Sequence, residues 1–117
     1  MDEQNFEALA KSALQLVSEV VESATESAEK NIDVELEDGV LVIEIEENIT
    51  FLINKHAPLQ QLWVSSPISG AGHYAWDESK SLWISTRSNS EFMSTIFKEL
   101  SEITGTAINY TVGFTID

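Results

Sequence analysis

Few residues in this chain could do chemistry, and most of those that could are carboxylates. Glu19, Glu22, Glu26 and Glu29 recur at steps of three and four, and Asp33, Glu35, Glu37 and Asp38 follow closely. Oxygen donors grouped without nitrogen or sulfur suit hard cations such as Mg²⁺, Ca²⁺, Mn²⁺ or Fe²⁺, held weakly where water reaches them. The bland alternative is a solvated helix face, because amphipathic helices carry charge on the side away from the core. A second candidate is Trp63. In Gln60-Gln61-Leu62-Trp63-Val64-Ser65-Ser66, alternation sets Leu62 and Val64 on one side and Trp63 with Gln61 and Ser65 on the other. An indole among polar neighbours is a frequent interface anchor. Burial under a loop is the competing expectation, since tryptophan is largely buried on average. His56 and His73 stand 17 apart in a chain without cysteine, which gives a zinc site poor support and leaves them as exposed loop or strand residues. Gly70-Ala71-Gly72 lacks the third glycine of a nucleotide loop and no G-x-S-x-G occurs, so conventional enzyme chemistry has no motif to start from.

The elements that must position these groups read clearly. Phe6, Leu9, Ala10, Ala13, Val17, Val20, Val21 and Ala24 recur at helical spacing, with no Gly or Pro between Phe6 and Ala28. That pattern predicts a helix of about 20–25 residues with the glutamates on its outer side. Ile32, Val34 and Leu36 then alternate with Asp33, Glu35 and Glu37, a half-buried strand closed by an Asp38-Gly39 hairpin turn. A return strand over 40–46, a turn at Glu47-Asn48, and strands over 49–54, 59–66, 73–76 and 82–85 follow, with a turn or bulge at Gly70 and Gly72. Trp76 and Trp83 are expected in the core. Ser88 and Glu91 suggest a capping box before Phe92, Met93, Ile96, Phe97, Leu100 and Ile103, and Gly105 ends that helix. The alternating tail over 108–116 reads as extended against the core. Helix, six strands, helix predicts one α+β domain spanning 1–117, a two-layer sandwich with both helices on one face of an antiparallel sheet.

Composition narrows the partners. The 117 residues carry a formal charge of −14, and the asymmetry is sharp: residues 1–47 hold 14 acids and 2 bases, residues 48–117 hold 6 acids and 4 bases. Such a field disfavours nucleic acid and anionic lipid and favours cations or basic protein surfaces. No apolar run approaches the roughly 20 residues that cross a bilayer, so no membrane partner is expected.

One stretch is specific enough to suggest a family. Ile53-Asn54-Lys55-His56-Ala57-Pro58-Leu59-Gln60-Gln61-Leu62-Trp63-Val64-Ser65-Ser66-Pro67-Ile68-Ser69-Gly70 resembles the frataxin signature I-N-(K/R)-Q-x-P-x-x-Q-(I/V/L)-W-(L/V)-S-S-P-x-S-G. His73-Tyr74-Ala75-Trp76 and Asp38-Gly39-Val40-Leu41 are similar to the family's following aromatic segment and its hairpin. The resemblance implies iron binding at an acidic ridge and a role in iron–sulfur cluster assembly, through contacts with the cysteine desulfurase and the scaffold protein. Glu19, Glu22 and Glu26 match acidic positions of the family's first helix and Asp33 one on its first strand; Glu29 and Glu35 lie in the same region. Asn54, Lys55, Gln61 and Trp63 match the sheet surface that meets the assembly machinery, and His56 and His73 stand within it.

The departures are local. Lys11, Ser12, Gln15 and Ser23 stand where relatives often have acids, His56 replaces glutamine, His73 an arginine common in mitochondrial members, and Ala75 a frequent aspartate. Ser65-Ser66-Pro67 is similar to the mitochondrial and alphaproteobacterial branch, whereas Leu59 and a start without presequence features suit a bacterial cytoplasmic protein. A processed form in the mitochondrial matrix is the alternative. The expected protein is an iron-binding regulator without turnover of its own, against an iron chaperone or storage protein with weak ferroxidase activity, or an acidic domain that binds a basic partner without metal. A monomer is expected, with iron-dependent oligomers as the alternative.

Overall fold

A computed structural model of the chain describes residues 1–108; the expected tail strand over 109–116 lies outside the described residues. Helix α1 (Glu3–Ala24) leads into strands β1 (Ile32–Glu37), β2 (Val40–Ile45), β3 (Ile49–His56), β4 (Gln61–Ser66), β5 (Gly70–Asp77) and β6 (Leu82–Ser85), and helix α2 (Phe92–Thr104) follows. The strands form one antiparallel meander in sequence order. Phe6, Val17 and Val21 of α1 and Phe92, Ile96 and Leu100 of α2 share one buried core with Leu41, Ile43, Phe51, Ile53 and Leu62 of the sheet. Both helices thus cover one face of the sheet, as the periodicities imply, and the other face is bare of helix. Trp83 is buried and Trp76 packs half-buried against the same core.

Several element ends differ from the sequence expectation. Helix α1 starts earlier, at Glu3, because the Asp2 carboxylate caps it by accepting from the Asn5 N–H at 2.7 Å. It also stops earlier, at Ala24 rather than Ala28. The Thr25 and Ser27 hydroxyls donate to the carbonyls of Glu22 and Ala24 at 2.8 and 3.3 Å, and the Thr25 and Ser27 N–H groups close tighter turns onto the same two carbonyls at 3.2 and 3.3 Å. Glu26 and Glu29 therefore sit beyond the helix instead of along its back. Helix α2 is capped by Glu91, not Ser88: its carboxylate accepts from the N–H groups of Met93 at 2.7 Å and Ser94 at 2.9 Å. Strand β3 runs on through Lys55 and His56, and β5 begins at Gly70, with Gly72 inside the strand against the Tyr74 ring.

The turns set the register. Asp38 and Gly39, at φ of 52° and 78°, form the two-residue hairpin that left-handed backbone allows. The β2–β3 turn spans Glu46–Asn48, with Glu46 and Glu47 themselves at φ of 57° and 70°. Glu46 also holds the entrance to β1, accepting from the Asn31 N–H at 2.6 Å through its side chain and donating its own N–H to the Asn31 carbonyl at 2.9 Å.

Candidate functional site

The bare face of the sheet gathers most of the singled-out residues. Alternation and register give it rows across the strands: Glu37–Val40–Asn54–Trp63–His73, then Glu35–Val42–Leu52–Ser65–Ala71, then Asp33–Glu44–Thr50. Carboxylates thus line the β1 edge, an aliphatic strip occupies β2 and β3, and Trp63 stands beyond it. At about 4.8 Å per strand, Glu37 lies roughly 14 Å from Trp63 along their shared row. Val40 and Leu52 are each 37% exposed on this face. Sequence reasoning missed them, although the unbroken apolar run Val40-Leu41-Val42-Ile43 signals apolar side chains on both faces of β2.

Trp63 points away from the helices, as expected, but it is not a free indole. It is half-buried between two imidazoles, His56 at a ring separation of 3.8 Å and His73 at 4.3 Å, and its Nε1 donates to the Gln61 Oε1 at 2.9 Å. Strand β3 carries His56 into this stack because it continues two residues past the predicted end. Asn54 shares the Trp63 row, its Nδ2 donating to the Lys55 carbonyl at 3.1 Å. Lys55 departs from expectation: it opposes the buried Leu62, faces the helix layer and pairs with Glu7 of α1. Its stem lies over Gly39, so it joins helix to hairpin and does not share the Trp63 surface.

The acidic residues wrap the β1 edge rather than converge. Asp33 and Glu35 are exposed on the bare face, Glu19 and Glu22 are exposed on the helix layer, and Glu26 and Glu29 are exposed in the connection between them. Among the described residues no three His, Asp or Glu side chains come together to hold a metal ion. Asp33 stands directly opposite Glu44 in the β1–β2 register, a like-charge pair that a cation would relieve. Elsewhere, the Ser79 hydroxyl and the Lys80 backbone N–H hold the Asp77 carboxyl below its ordinary range, while burial pushes the Tyr74 hydroxyl up. Among the described residues no helix is long and apolar enough to cross a membrane.

Two helices on one side of a six-stranded meander, with carboxylates and stacked aromatics on the exposed side, define a two-layer α+β sandwich with a bare, chemically marked sheet. The family model of the frataxin-like domain matches residues 1–106. The chain belongs to the frataxin family. It is 32% identical over 108 residues to an iron–sulfur cluster assembly protein CyaY of Cupriavidus necator, covering 92% of this chain and 95% of that one. It is 38% identical over 108 residues to a mitochondrial frataxin-like protein of Leishmania donovani, covering 87% of this chain and 56% of that longer one. It likewise spans 62% of a mitochondrial frataxin homolog of Schizosaccharomyces pombe. Among solved structures, a frataxin from Psychromonas ingrahamii shares the fold at a TM-score of 0.76 and 23% identity, over 95% of this chain and 99% of that one. A trimeric frataxin from the yeast Saccharomyces cerevisiae, complexed with ferrous iron, matches at a TM-score of 0.75 and 28% identity, over 84% of this chain and 87% of that one.

Proposed function

We propose that this protein is an iron-binding regulator of iron–sulfur cluster assembly. In this reading it takes up iron(II) weakly along Glu19, Glu22, Glu26, Glu29, Asp33 and Glu35. It modulates a cysteine desulfurase and its scaffold protein through the bare sheet face, with Asn54, His56, Gln61, Trp63 and His73 at the contact. The observation that carries it is the shared face: the carboxylates of β1 and the Trp63 stack sit on one uncovered surface of a frataxin-family sheet. The naming of bacterial relatives as cluster assembly proteins supports the pathway. Iron is cargo here. Spread, solvated carboxylates concentrate a hard cation electrostatically but leave most of its shell to water, which is the basis for weak binding. Lys55 acts from the other layer by holding α1 to the hairpin.

A second reading, iron chaperone or storage protein with weak ferroxidase activity, draws on the yeast relative, a trimer complexed with ferrous iron. Desulfurase turnover, assayed with scaffold present, separates the two. A rate that changes on adding the protein supports regulation. An unchanged rate, together with iron-dependent oligomerisation and iron(II) oxidation, sinks it in favour of storage.

A further inference from the structure

Both faces of the Trp63 indole are occupied before any partner arrives. The His56 ring is nearly parallel to it, at 4°, and the His73 ring is at 13°. What remains for a partner is the rim of the indole and the outer faces of the imidazoles. A free indole has side-chain torsions to settle on binding, and a clamped one has settled them in advance. Imidazole also differs from other stacking rings, because its charge changes near neutral pH.

We propose that His56 and His73 are positioning residues of the docking face: they hold Trp63 edge-on, and their protonation sets how strongly that face accepts a cationic partner. The inference rests on the reading of the bare face as a docking surface. The charged groups around the stack are few. Glu37 ends its row, with Glu35, Asp33 and Glu44 in the rows beyond, and Asp77 lies further along β5. Arg87 follows Thr86, whose N–H donates to the His73 carbonyl at 2.9 Å. Lys55 points to the other layer, and neither β6 nor the turn over 57–60 brings a charge. Among the described residues neither imidazole has an ion-pair partner. Protonation therefore adds uncompensated positive charge, while attraction between cation and indole keeps the stack together. His56 Nδ1 also ceases to accept the exposed Leu59 N–H, 3.3 Å away, a bond that water replaces. The −14 chain draws basic surfaces, and charge gained at the stack opposes that pull. Docking of a basic partner is weaker with the imidazoles protonated than with them neutral.

Two double variants separate the roles. His56→Phe with His73→Phe keeps the stack without titration, and His56→Gln with His73→Gln removes both. Binding to an immobilised desulfurase–scaffold complex is compared at about pH 8 and about pH 6. The wild type is expected to lose about three- to tenfold more affinity across that interval than the Phe variant, the scale of exposed charge contacts. At the higher pH the Gln variant binds about three- to tenfold more weakly than the Phe variant, because Trp63 is released. In the free protein, the NMR signal of the Trp63 Nε1–H moves with pH in the wild type and stays fixed in the Phe variant. A fixed signal in the wild type, or equal pH responses in wild type and Phe variant, overturns the charge role. A Gln variant that binds as tightly as the Phe variant at the higher pH overturns the positioning role. No wild-type binding at the higher pH sinks the docking reading instead, and the NMR titration still decides on the clamp.

Discussion

At Trp63 the contacts limit how much the fold depends on the side chain. Two stacked rings at about 0.5–1.5 kcal/mol each imply that Trp63→Ala costs about 1–3 kcal/mol, against about 3–5 for a core tryptophan. Urea unfolding measures this, and the same variant is expected to keep iron binding while losing its effect on the desulfurase–scaffold complex. A cost of 4 kcal/mol or more, on the scale of large core truncations (~4), would make the indole part of the core. Ser66 presents the opposite case. Its hydroxyl donates to the Glu99 carboxylate at 2.6 Å and accepts from the N–H groups of Ile68 at 2.9 Å and Ser69 at 3.1 Å. Ser66 and Glu99 are only 7% and 8% exposed, so Ser66→Ala leaves a buried carboxylate and two loop donors without their partner. The expected loss is about 1–3 kcal/mol, read by urea unfolding, and an unchanged midpoint would show that water enters to replace the hydroxyl.

At the level of the element, the β2–β3 turn is the place where sequence and backbone disagree. Glu46 and Glu47 both hold positive φ, a region that costs an L-residue roughly 1–2 kcal/mol. Glu46 has a compensating role at Asn31, but Glu47 is exposed and makes no side-chain hydrogen bond or ion pair among the described residues. Glu47→Gly is therefore expected to stabilise the domain by about 1 kcal/mol, seen as a higher urea midpoint at unchanged slope. A lower midpoint would mean that glycine's added freedom in the unfolded chain outweighs the relief. The ends of α1 and β3 matter for function in the same way. Four residues fewer at the end of α1 move Glu26 and Glu29 into a connection, and two more in β3 bring His56 to Trp63.

Across the whole molecule, charge and stability pull apart. Like charges on one side of a −14 chain repel, so the free acidic edge is unfavourable and a divalent cation relieves it. Replacing Glu19, Glu22 and Glu26 with lysine is expected to abolish iron binding while leaving the fold as stable or more so, because all three side chains are exposed. Thermal unfolding at low salt checks this, and any gain should shrink as salt screens the repulsion. A triple variant that unfolds would show that this face is structural. Retained iron binding would move the metal to the carboxylates on the bare sheet face.

The sequence by itself determined the order of elements, the amphipathic faces, both hairpins flanking β2 and the side of the sheet that carries Trp63, because period and turn chemistry are local properties of the chain. Only the tertiary structure decided how those faces combine. Strand alternation placed Asp33 and Glu35 on the solvent side of β1, yet the accumulated register of four strands was needed to put them on the Trp63 face. The same register turned Lys55 to the helix layer and brought His73 of β5 against an indole on β4. Tight-turn and hydroxyl bonds onto the Glu22 and Ala24 carbonyls mark the early end of α1, which the apolar stripe does not record. Residues far apart in sequence meet through the meander's pairing, and no pattern within a single segment encodes which partner lies across.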